Sequence, residues 1–288
     1  MSFWEQWGLD VVHHRAGTAR SEVHVTSVLS PATITRLEKA AVDNGFDQEL
    51  PAQAGWLGFA STQAPLRVWL SNFGDAVFVC ALSQLHVARA LGEYGTPLLS
   101  PLPPGAAAGR SVKDVPSLHL LVRRAFQLSK TLPDELLHVF ERQTGSLPRT
   151  TEAERLVVQR VGQDLFRQGL FEYWEGRCAV TGLAVPELLR ASHIKPWADC
   201  ETDAERLDVF NGLLLAPHLD AAFDRAFITV GDDGSIVVSS ALDEHTRRVL
   251  GFERPLRVRG LHDGHRAYLP WHRKLFDLAV QRSAGGSP

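Results

Sequence analysis

Residues 177–228 read RCAVTGLAVPELLRASHIKPWADCETDAERLDVFNGLLLAPHLDAAFDRAFI, and the rest of the chain is arranged around them. An apolar run ends in Ser192-His193-Ile194-Lys195-Pro196. A polar loop follows and closes at Asn211-Gly212, and Leu213-Leu214-Leu215 leads into His218, Asp220 and Asp224. With 218–227 as a helix, Asp220 and Asp224 stand four apart on one face. Two acids so placed repel unless a cation lies between them, and a bound metal ion meets that need. An exposed acidic helix start, complementing the helix dipole, accounts for either acid alone. With His193 and Asn211 upstream, the metal is the better account. Phe223 and Phe227, also four apart, would hold another face of the helix against the core.

Four blocks, in order and compactly spaced, carry a resemblance. They are Arg177-Cys178 with Thr181-Gly182; Ala191-Ser192-His193-Ile194 with Pro196-Trp197; Asn211 to Leu215; and Asp220 with Phe223-Asp224-Arg225. Together they resemble the HNH nuclease domain, the ββα-metal fold. The resemblance implies that His193 is the general base, since imidazole titrates near neutral pH. It implies metal ligands at Asp220 and, one turn later, Asp224, with Asn211 fixing the loop and orienting the base. It also implies that the His193 ring faces the acids across a phosphate-sized gap. His218 is a further metal candidate; contact to a phosphate or capping of the helix stay open for it. Leu219 separates His218 from Asp220, where some close relatives place His directly before the first Asp. Ser192 stands where many members carry Asp or His as a further ligand, so His218, water or a substrate phosphate would complete the shell.

A thiol-free, carboxylate-rich shell suits Mg²⁺ or Mn²⁺ ahead of Zn²⁺ or Ni²⁺. Cys178 lacks a partner at two-residue spacing, so no structural zinc is expected. By resemblance the activity is hydrolysis of DNA phosphodiester bonds in the manner of restriction or defence nucleases. The partner is double-stranded DNA, with Lys195, Arg225, Arg273 and Lys274 as phosphate contacts and a homodimer as the assembly. A non-catalytic DNA-binding protein on a degenerate HNH scaffold is the alternative, as is a nuclease gated by a ligand- or protein-binding first half.

The 288 residues allow one large domain or two ordinary ones, and 44% hydrophobic content is ample for buried cores. A net charge of −3 does not advertise nucleic-acid binding. Local clusters such as Arg247-Arg248 and Arg254, Arg257 and Arg259 would have to supply a DNA face. No apolar run reaches membrane-spanning length, and MSFWEQWGLDVVHH is no signal peptide. Cys80, Cys178 and Cys200, odd in number and widely spaced, fit a reducing cytoplasm.

Along the chain, 22–29 reads as a strand. Ser30-Pro31 opens a helix that Asn44-Gly45 closes. Apolar runs at 55–60, 66–71 and 76–81 read as strands, 83–92 as a helix, and 117–129 and 132–143 as two more. The Pro-, Gly- and Ala-rich segment 95–114 reads as a loop or linker. Thr151 and Glu154 form a capping box that starts a bridging helix over 152–174, with Leu156, Val157, Val161, Leu165, Phe166 and Leu170 on its buried side. Gly231-Asp232-Asp233-Gly234 reads as a hairpin turn, and 242–250 as helix-like. The expected class is α+β: a small α+β targeting module over 1–145, then the nuclease domain over 146–288.

Overall fold

The computed structural model describes residues 29–53, 55–73, 77–132, 134–148 and 150–285. The strand expected at 22–29 lies outside them except for its last residue. Helix α1 (Pro31–Val42) starts as its sequence dictates: the Ser30 side chain accepts the Thr33 N–H, and Pro31 occupies the first turn, where no N–H is needed.

Strands β1 (Gln48–Gln53), β2 (Trp56–Ala60), β3 (Arg67–Phe73) and β4 (Val77–Leu82) then run antiparallel, followed by α2 (Leu85–Ala90). β5 (Thr96–Pro97) and β6 (Ala108–Val112) complete a six-stranded sheet in the order β1-β2-β3-β4-β6-β5. Alternation along β3 and β4 divides its two faces. Val68, Leu70, Phe78, Cys80 and Leu82 join the main core with Leu37 of α1 and Leu118 and Leu121 of α3 (Val115–Ser129). Trp56, Trp69, Val79 and Ala81 face the other way, under Leu98, Leu102 and Ala106.

Two elements depart from the sequence reading. The segment 95–114 is no linker, because it supplies β5 and β6. Arg110, 9% exposed, donates to the carbonyls of Ala88, Gly92 and Gly95 and so ties the segment to α2. A side chain at Gly109 would meet Leu98 and Leu102, so β6 carries no alternating apolar pattern to read. β1 was not expected either. It is a polar edge strand with a bulge between Leu50 and Gln53, a place that tolerates Pro51.

α4 (Glu135–Thr144) leads to α5 (Glu152–Tyr173), whose capping box forms as read. Its buried side differs: Leu156 and Val157 are exposed, while Val158, Gly162, Leu165, Phe166, Gly169 and Leu170 are buried. Gly162 and Gly169 mark the contact line. A Cβ at either would fall within 2.4 Å of Trp197 or 2.3 Å of Leu136, respectively.

The second half is built on α5. β7 (Arg190–His193) pairs antiparallel with β8 (Gly212–Leu215), joined by a loop holding α6 (Asp203–Leu207). Then come α7 (Pro217–Asp224), the hairpin β9 (Ile228–Val230) and β10 (Ile236–Val238), α8 (Glu244–Val249) and α9 (Asp263–Gly285). The architecture is α+β, and the apolar core runs unbroken from Leu37 to Leu269. Among the described residues, no helix is long and apolar enough to cross a membrane.

Candidate active site

The site lies where β7 ends, and strand alternation decides what faces what. Ser192 opposes Leu213, and His193 opposes Gly212. Ser192 is buried and its hydroxyl donates to Asp220 on α7. His193 turns to the other side, against α5: its ring stacks on Phe166 at 3.7 Å between centroids and meets the edge of Trp197 at 5.8 Å. Gly212 makes room for this, since a Cβ there would lie 2.5 Å from Phe166. Gly212 is fully extended (φ −154°), so it serves close packing rather than a turn.

Among the described residues, the contact from this strand to the acids is the one from Ser192 to Asp220, while the His193 ring packs on Phe166 and Trp197. Its Nε2 meets the Arg206 carbonyl at 2.9 Å. A carbonyl only accepts, so Nε2 carries the proton and Nδ1 keeps the lone pair. Nδ1 has no hydrogen-bond partner among the described residues. Burial pushes the imidazole down to about 4, against a smaller upward pull from the Arg206 carbonyl.

Asn211, fully buried, holds the loop that supplies that carbonyl. Its Oδ1 accepts the Lys195 N–H at 2.8 Å, and its Nδ2 donates to the carbonyls of Lys195 (3.1 Å) and Glu205 (3.0 Å). The Lys195 ammonium pairs with Glu205 at 2.8 Å. Arg206 itself is fastened to Asp203 and to the carbonyls of Trp197 and Cys200. The sequence reading did not find Phe166, Glu205 or the Arg206 carbonyl. Main-chain acceptors and stacking partners leave no motif.

On α7, Asp220 and Asp224 share a face. Desolvation, and then the charge of Asp220, push the Asp224 carboxyl above its ordinary range, while Arg225 pulls it down. His218 does not join them. At two residues' distance it lies about 200° round the helix from Asp220, and it is exposed. Among the described residues, no three His, Cys, Asp or Glu side chains form a metal-binding group. The expected set of His218, Asp220 and Asp224 is thus corrected to the two acids. That pair, with the Ser192 hydroxyl beside it, fits an oxygen-loving ion that keeps water in its shell, and does not fit closed tetrahedral zinc.

The expected phosphate contacts divide. Lys195 is spent on Glu205, and Arg273 on the Val230 carbonyl and Asp232. Arg225 and Lys274 are exposed. His272, in the same run as Arg273, is structural: stacked on Phe223 at 3.6 Å, it bridges Phe223 O and Thr229 Oγ1 and locks α7 to α9. The Cys178 sulfur accepts the N–H groups of Thr181 and Ala216, anchoring the start of α7.

No curated protein matches the chain. A family model does: residues 178–231, from the Cys178 turn through β7, β8 and α7 to the β9 hairpin, match HNH endonuclease, so the C-terminal half carries an HNH endonuclease domain.

Proposed function

We propose that the protein is a metal-dependent endonuclease cutting double-stranded DNA, with a restriction or defence role. Residues 1–145 act as the module that selects the DNA, modified DNA included. HNH nucleases generally use a divalent metal. Here Asp220 and Asp224 would hold Mg²⁺ or Mn²⁺, which when bound neutralises charge on the scissile phosphate. Ser192 holds Asp220 in place through its hydroxyl.

The observation that carries this reading is the fixed state of His193. Its Nε2 proton is committed to Arg206 O, and burial keeps the ring neutral at neutral pH. Nδ1 therefore holds a free lone pair at the end of β7, one residue along from Ser192, the partner of Asp220, and would take a proton from an attacking water. Asn211 is a positioning residue, acting through the loop carbonyl.

A second reading has one observation in its favour. His193 is stacked on Phe166 and edged by Trp197, as in a scaffold that binds DNA without cutting it. Supercoiled plasmid incubated with Mg²⁺, Mn²⁺ or EDTA separates the two. Metal-dependent nicking supports the endonuclease; plasmid retained in a gel shift but left intact with either metal supports the scaffold.

A further inference from the structure

A cleft of about 650 Å³ opens between α2 and the start of α9, away from Asp220 and Asp224. Its polar lining is His86, Arg89, His262, Asp263 and Arg266. Small-molecule sites span about 300–1,000 Å³ and combine an apolar floor with a few convergent polar groups. Leu132 and Phe210 provide that floor, with Ala90 and Leu261 beside them.

The polar groups have unmet needs. His86 Nε2 is buried with no hydrogen-bond partner among the described residues. A neutral imidazole nitrogen can give or take one hydrogen bond according to its tautomer, and a ligand hydroxyl can answer either. His262 is fixed in one tautomer: its Nδ1 accepts the Gly264 N–H at 3.1 Å, leaving an Nε2–H to donate. Arg89 is exposed and has no partner among the described residues, whereas Arg266 is tied to Asp263 and the Asp232 carbonyl. One uncommitted cation suits one phosphate group better than a polyphosphate.

We propose that this cleft binds a nucleoside monophosphate: the phosphate on Arg89, a hydroxyl hydrogen-bonded to His86 Nε2, an acceptor meeting His262, and the base on the Leu132–Phe210 floor. The same chemistry occurs in a free mononucleotide and at the 5′-phosphate end of a DNA strand.

Calorimetric titration of the full chain with AMP, adenosine and a 5′-phosphorylated trinucleotide tests this. AMP is expected to bind one-to-one, adenosine roughly tenfold or more weakly. Arg89→Ala should weaken AMP by a similar factor while leaving the melting temperature in place, because Arg89 is exposed. His86→Phe, which fills the cleft, should remove binding. Tighter binding of the trinucleotide than of AMP assigns the site to strand ends; the reverse assigns it to free nucleotide. No saturable binding of AMP or trinucleotide, or AMP affinity unchanged in Arg89→Ala, overturns the proposal.

Discussion

Asn211 holds Lys195 by both of its main-chain polar atoms, accepting from the amide at 2.8 Å and donating to the carbonyl at 3.1 Å. The same Nδ2 reaches Glu205 O, one residue before the carbonyl that receives His193. Asn211→Ala removes the partner of three part-buried main-chain groups, of which the Lys195 carbonyl keeps the Cys200 thiol, and should cost about 2 kcal/mol, given ~1–3 kcal/mol for an unsatisfied group. Asn211→Asp can still accept from Lys195 N but cannot donate to either carbonyl. It should therefore lose most cleavage while unfolding at lower urea than wild type. Urea titration and a plasmid assay on both variants check this.

Three imidazoles are held neutral by burial: His193 and His272 at about 4, and His265 at about 3. A depressed histidine stabilises the fold in full above the free value of 6.5. That stability drains as pH falls from 6.5 through the folded value, since the unfolded chain takes up protons first. His193 and His272 are each worth of order 3 kcal/mol across that window. Asp208 and Asp224, shifted upward mainly by desolvation, act in the opposite sense lower down, in the carboxylate range. Urea midpoints should drop steeply between pH 7 and pH 5, and the drop should be shallower in His272→Phe.

Two like charges on one turn of α7 oppose folding when no cation is bound. Asp224→Asn should leave metal-free stability unchanged or raised by up to about 0.5 kcal/mol, yet abolish the stabilisation that Mg²⁺ or Mn²⁺ confers on the wild type. His218→Ala, on the far side of the helix, should change neither quantity. Melting curves with and without metal read out both variants.

Gly212 has no room for a methyl group. Gly212→Ala places a Cβ 2.5 Å from Phe166 and 2.9 Å from Leu170, and overpacking of this kind costs about 1–3 kcal/mol. Pairing it with Phe166→Leu should recover part of the stability, as denaturation midpoints of the single and double variants would show.

What the sequence disclosed, and what it hid, follows one physical division. Caps and periodic apolar runs were legible: Ser30, the Thr151–Glu154 box, β2 to β4, and the helix bearing Asp220 and Asp224 all form where local chemistry puts them. Contacts made by small residues or main-chain atoms were not. Gly109, Gly162, Gly169 and Gly212 each mark a close approach that looks like flexibility in one dimension, and Arg110 organises β6 through carbonyls that no motif records. A motif fixes residue order but not the face each residue presents: it did not disclose the stacking of His193 on Phe166, nor that His218, two residues from Asp220, stands about half a helical turn from it.

The central claim is that His193, at the end of β7, and Asp220, on α7, serve one phosphodiester. Single-turnover cleavage of a labelled duplex in Mg²⁺ tests it most directly, comparing wild type with His193→Gln and Asp220→Asn under conditions where all three bind the DNA. Each substitution should slow cleavage by roughly 10²-fold or more. His193→Gln cutting at the wild-type rate would contradict the account.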